Sequence, residues 1–124
     1  LRVLKTPWFE RFARKERISE ASLCEAVGRA EKGLIDADLG GGLIKQRVAR
    51  PGAGRSGGYR TLVLYRSGAR AVFAFGFAKS GMDNIDKKDE ARLKALAELN
   101  LGLSDREISL LVDSGKLVEV KCDG

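Results

Sequence analysis

The residues best suited to chemistry in this sequence are three cations, Lys45, Arg47 and Arg60. Lys45 and Arg47 lie two apart in the run Leu43–Ala49, so on a strand both side chains leave the same face. In the next run, Tyr59–Arg66 (YRTLVLYR), Arg60, Leu62, Leu64 and Arg66 share one side, while Tyr59, Thr61, Val63 and Tyr65 share the other. Pairing of the two strands would bring Arg60 beside Lys45 and Arg47. Lys79 follows the third such run, and Arg50 and Arg55 sit in the connecting loop, where they can line the rim; Arg66 extends the same face. Like charges converging on one concavity repel unless an anion normally sits among them. A phosphodiester is the natural guest, since Arg grips it bidentately and Lys supplies a point charge.

The charge distribution points the same way. The chain of 124 residues carries a net +6, and between Leu39 and Met82 it has eight Lys and Arg and no Asp or Glu. From Asp83 to the end the balance reverses, with seven basic against ten acidic residues, or −3. A middle region of this kind is built to meet a polyanion. The competing structural account, a charged face guarding a sheet against aggregation, predicts mixed charges there instead.

Metal and cofactor chemistry finds little support. The chain has no histidine, and its two cysteines, Cys24 and Cys122, lie near opposite ends without ligand spacing. They read as a small core residue and a near-terminal bystander, in keeping with a reducing cytoplasm. The glycine-rich stretches at 40–42 (GGG) and 51–58 (PGAGRSGG) lack the Lys-Ser/Thr ending and following helix of a nucleotide-binding loop, and read as turns. No apolar run approaches the roughly 18 residues of a membrane span, and no signal-peptide core opens the chain. A soluble cytoplasmic protein with no cofactor is expected.

The elements that must hold the cations follow from periodicity. Thr6-Pro7 opens a first helix with Trp8, Phe9, Phe12 and Ala13 as its core face, and Val3 to Lys5 ahead of it suits a short strand. A second helix runs from Ser19 to Gly33 with Leu23, Val27, Ala30 and Leu34 as its stripe, completing a helical hairpin. Strands are expected at 43–49, 59–66 and 70–77, the last two joined through Ser67-Gly68-Ala69. A third helix spans about 86–101 with Leu93, Leu96, Leu99 and Leu103 on its apolar side. The capping box Ser104–Glu107 starts a fourth helix, and 117–122 suits an edge strand. The expected fold is a single α+β domain over residues 1–124: a small antiparallel sheet with the helical hairpin and the C-terminal helices packed on one face.

The run from GGGLIKQRVARPGAGRSGGYRTLVLYR through AVFAFGFAKSGMDNID to LSDREISLLVDSGKLVEV resembles the RelE toxins of toxin–antitoxin pairs, especially the HigB-like branch. Its best marks are GGYRTL and FGFAKS followed by a helix. The resemblance implies a metal-independent endoribonuclease that cleaves mRNA, commonly on the ribosome, and a cognate antitoxin as partner. The attacking group would be the RNA 2′-OH, and three tasks follow: removing its proton, stabilising the phosphorane, and protonating the leaving oxygen.

By position, Lys45, Arg47, Arg60 and Lys79 match the family's basic residues. Arg47 and Arg60 would hold the non-bridging oxygens. Lys45, crowded by like charges that favour a neutral amine, would accept the proton, and Lys79 would neutralise charge near the leaving group. Some relatives carry an arginine just after the last strand and a tyrosine a few residues on; here Ser80 and Asp86 stand near those places. Asp86, Tyr59 and Tyr65 are secondary acid–base candidates. Two other functions fit the same scaffold: a ParE-type toxin acting on a protein such as DNA gyrase, and an RNA-binding module without catalysis. The convergence of Lys45, Arg47 and Arg60 argues against the ParE type, which needs no phosphate-cutting cluster.

Overall fold

A computed structural model describes residues 1–50, 57–78 and 85–122. In chain order the elements are β1 (Arg2–Lys5), α1 (Pro7–Glu16), α2 (Glu20–Glu31), β2 (Ala37–Gly40), β3 (Leu43–Val48), β4 (Tyr59–Arg66), β5 (Arg70–Ala78), α3 (Lys87–Leu101), α4 (Asp105–Asp113) and β6 (Val118–Val120). The helix starts are set by side-chain caps. Thr6 Oγ1 accepts from the Phe9 N–H and Ser19 Oγ from the Ser22 N–H, while Ser104 and Glu107 form the reciprocal capping box.

The strands form one sheet in the order β2-β3-β4-β5-β1-β6. All neighbours are antiparallel except β1, which lies parallel to β5 in the sheet interior. The α+β class is borne out. The placement of the helices is not the expected one, because both faces of the sheet are covered. One core joins α1 and α2 to Ile44, Val48, Tyr59, Val63 and Phe73; the other joins α3 and α4 to Leu43, Leu62, Leu64 and Val72. The physical reason lies in β4. Thr61 to Tyr65 is buried throughout, and successive residues point to opposite faces. Leaving Leu62 and Leu64 bare would forgo about 2 kcal/mol for each side chain, so a second helical layer is required.

Four local expectations also change, the first being that Leu96 and Leu99 of α3 are exposed while Ala97 and Leu101 are buried. β2 is an added edge strand, pairing Ala37 with Lys45 and Asp38 with Ile44. Leu34 lies past the end of α2 and is exposed rather than part of its buried stripe. Trp8 is 39% exposed and stacks on Phe75, so it is not a core residue. Phe9 and Phe12 do meet the sheet, and they do so over Gly76, where a Cβ would come within 2.7 Å of the Phe12 ring. Among the described residues no helix is long and apolar enough to cross a membrane.

The cysteines are not bystanders. Cys24 on α2 and Cys122 after β6 form a disulfide, with 5.6 Å between their Cα atoms and a sequence separation of 98. Sequence distance hid a spatial neighbourhood: β6 pairs with β1 at the sheet edge, and the tail then reaches α2. Closing a loop of this length lowers the entropy of the unfolded chain, an effect of about 5 kcal/mol in the loop-closure account. The oxidised protein is therefore expected to withstand markedly more urea than the Cys122→Ser variant, measured by denaturant unfolding with and without reductant. Reductant should move the wild type onto the variant's curve.

Candidate functional site: a cationic corner on the sheet

The site is built by the pairing of β3 with β4. Their register sets Arg47 opposite Arg60 and Lys45 opposite Leu62. Alternation puts Lys45 and Arg47 on the α3/α4 face, with Gln46 between them pointing the other way. The Arg47 N–H donates to Asp36 Oδ2 at 2.6 Å, and its carbonyl accepts from Arg29 Nη2. Both backbone groups thus point away from β4, so Arg47 and Arg60 form the closer, non-hydrogen-bonded kind of pair, with about 4.5 Å between Cα atoms.

The inward-facing Gln46 fixes this edge. Its Nε2 donates to the carbonyls of Ala26 and Leu34, each at 3.0 Å, and its Oε1 accepts from the Asp36 N–H at 3.1 Å. One buried amide therefore ties α2 and the chain entering β2 to the strand that carries both cations. Beyond the start of β2 the outer edge of β3 has no strand neighbour, and Asp36 and Arg29 supply the missing partners for Arg47. Arg29 is itself held by Glu25 at 2.7 Å.

Arg47 is exposed, whereas Lys45 and Arg60 are half-buried. Arg60 Nη1 is buried and has no hydrogen-bond partner among the described residues. A buried guanidinium nitrogen without a partner is costly, and its arginine lies in register with a second one, Arg47. A cleft of about 600 Å³ opens at the outer edge of β3, lined by Arg29, Arg47 and Arg50 together with Glu25 and Asp36, and neither Lys45 nor Arg60 lines it.

The other candidates fare differently. Arg50 lines that cleft, but its guanidinium carbon lies 5.6 Å from the centroid of the Tyr59 ring, which belongs to the α1/α2 face. Arg66 is at the far end of β4, roughly 20 Å along the strand from Arg60, and does not join the cluster. Lys79 and Arg55, like Ser80, lie outside the described residues.

Tyr59 and Tyr65 face the opposite core. The Tyr59 hydroxyl bonds to Glu16, and burial together with that carboxylate pushes its pKa up. Tyr65 is also pushed up, by burial and by Glu31. The same contact, with the Gly68 N–H, holds the Glu31 carboxyl below its usual range. Asp86 caps α3, accepting from the Asp89 N–H at 2.8 Å.

Some of the basic segment proves structural. Arg70 is buried and spans the α3–α4 junction, bonding to the carbonyls of Asn100 and Leu103 and pairing with Asp105 at 3.3 Å. The positioning residues Gln46, Asp36 and Arg29 escaped the sequence reading because their role depends on α2 lying across β3. The one available signal was a lone polar Gln at an inward position of an otherwise apolar strand face.

Fold and site together define a small α+β protein with a cationic corner on a sheet covered by helices on both faces. The RelE family model, described as the RelE toxin of the RelE / RelB toxin-antitoxin system, matches residues 1–120. The chain belongs to the RelE toxin family: it is a toxin of a toxin–antitoxin system, and such a system supplies a cognate antitoxin as its partner. No curated protein matches the chain.

Gln46→Leu keeps the volume but strands two carbonyls and one N–H. It is expected to lower unfolding free energy by about 3 kcal/mol, read from denaturant melts. A loss under about 0.5 kcal/mol, the range of neutral surface changes, would mean the amide does not anchor the edge.

Proposed function

We propose that the protein is a metal-independent mRNA endoribonuclease of the kind the HigB-like branch represents, acting in the cytoplasm on messages held by the ribosome. The observation that carries this reading is the register pair Arg47–Arg60 with Lys45 on the same face, three cations drawn from adjacent strands. The reaction needs no bound cofactor, because the attacking group is the substrate's own 2′-OH.

In the proposed step the 2′ oxygen attacks the adjacent phosphorus and the bond from phosphorus to the 5′ oxygen breaks. The products are a 2′,3′-cyclic phosphate and a free 5′-hydroxyl, whose oxygen takes its proton from water. Arg47 and Arg60 hold the non-bridging oxygens, where charge rises in the transition state. Lys45 takes the 2′-OH proton. This reading assigns Lys79 to neutralising charge at the leaving oxygen, and Arg55 and Arg50 to the flanking RNA. Arg66, remote from the corner, is left with at most a long-range electrostatic part.

The test is a defined message incubated with ribosomes and purified protein. The wild type should cut within codons. Arg60→Ala should cut at least about a hundredfold more slowly, the scale of losing one oxyanion donor. It should also relieve growth arrest while its circular dichroism stays unchanged. Undiminished cutting by that variant, or inhibition of gyrase without any RNA cleavage by the wild type, would contradict the assignment.

A further inference from the structure

The cationic corner continues into an aromatic surface. Reading across the sheet on the α3/α4 face gives two rows, Lys45–Leu62–Phe75 and Arg47–Arg60–Phe77. Neighbouring strands are about 4.8 Å apart, so Phe75 stands roughly 10 Å from Lys45, well within the span of one nucleotide and its neighbour. Trp8 stacks on Phe75 with ring centroids 4.4 Å apart. Phe75 is half-buried and Trp8 is among the exposed large hydrophobic residues. Phe75 also walls a cavity of about 240 Å³ with Ile85, Leu93, Asp89 and Arg92. That volume is below the roughly 300 Å³ at which drug-sized sites begin, and it suits one planar ring system. The cavity wall is apolar, and Asp89 and Arg92, an ion pair 3.8 Å apart, put an acceptor and donors at its rim.

We infer that this cavity is a nucleobase subsite, in which an unpaired base next to the phosphate held by Lys45, Arg47 and Arg60 packs against Phe75 while Asp89 and Arg92 meet its polar edge. The inference rests on the endoribonuclease reading and adds the place where the RNA is gripped by a base. Every base has a π-face, and stacking on an aromatic side chain is the usual way proteins hold unpaired nucleotides. A core-only role for Phe75 leaves unexplained why its ring pair is open to solvent on the same sheet face as Lys45, Arg47 and Arg60.

Trp8 is the only tryptophan in the chain, so its emission reports directly on Phe75. The experiment titrates the full chain with a short single-stranded RNA and with an abasic oligoribonucleotide of equal length, which keeps every phosphate and removes every base. The intact RNA should bind about tenfold more tightly than the abasic one and change Trp8 emission. Phe75→Leu, checked for fold by circular dichroism, should bring the two affinities together. Arg92→Ala, a surface change, should narrow the gap without closing it. Equal binding of both oligomers by the wild type would overturn the subsite and leave the phosphate site standing. Binding of neither would overturn both.

Discussion

The β3–β4 register is the constraint on which everything else depends. Moving it by one residue would send Lys45 and Arg47 into the α1/α2 core and Gln46 out to solvent, a change that buried alternation forbids. The register in turn is held from outside the sheet. Gln46 binds α2 and the approach to β2, while Asp36 and Arg29 occupy the open edge at Arg47. A repulsive juxtaposition of cations persists because the surrounding packing leaves it no alternative. Such local cost held by a rigid frame is what a preorganised anion site requires.

The two helical layers divide the work. α1 and α2 anchor the sheet from one side, through Phe9 and Phe12 over Gly76 and through the Tyr59–Glu16 and Tyr65–Glu31 contacts. α3 and α4 cover the other side at Leu62, Leu64 and Val72 and leave the Arg47–Arg60 end accessible. Arg70, counted with the basic segment, spends its charge on the α3–α4 junction. Net charge along the chain therefore overstated the size of the patch, whereas strand alternation gave the shared face of Lys45, Arg47 and Arg60.

Much of this was legible in the sequence because it rests on local rules. Caps at Thr6, Ser19, Asp86 and Ser104, the β4–β5 hairpin and the shared face of Lys45, Arg47 and Arg60 all follow from spacing and residue type. What failed to show was long-range. The unbroken apolar run in β4 already implied two covered faces, but the reading placed all helices on one. β2 is four residues long and carries an Asp and a Gly, so nothing marks it as a strand until β3 pairs with it. The Cys24–Cys122 bond joins residues 98 apart, a proximity that only the assembled sheet creates. A cytoplasmic site of action would expose this bond to reduction, which makes the covalent tie between α2 and the tail conditional on surroundings.

The central claim is that the β3–β4 register sets Arg47 directly opposite Arg60 on the α3/α4 face. Like charges directly opposite on paired strands destabilise a sheet, and a bound anion should reverse that. Thermal unfolding of the wild type and of Arg47→Gln, at low ionic strength with and without inorganic phosphate, tests this directly. The variant should melt higher than the wild type in the absence of phosphate, and phosphate should stabilise the wild type more and close the gap. A variant that melts lower, together with a wild type indifferent to phosphate, would contradict the account.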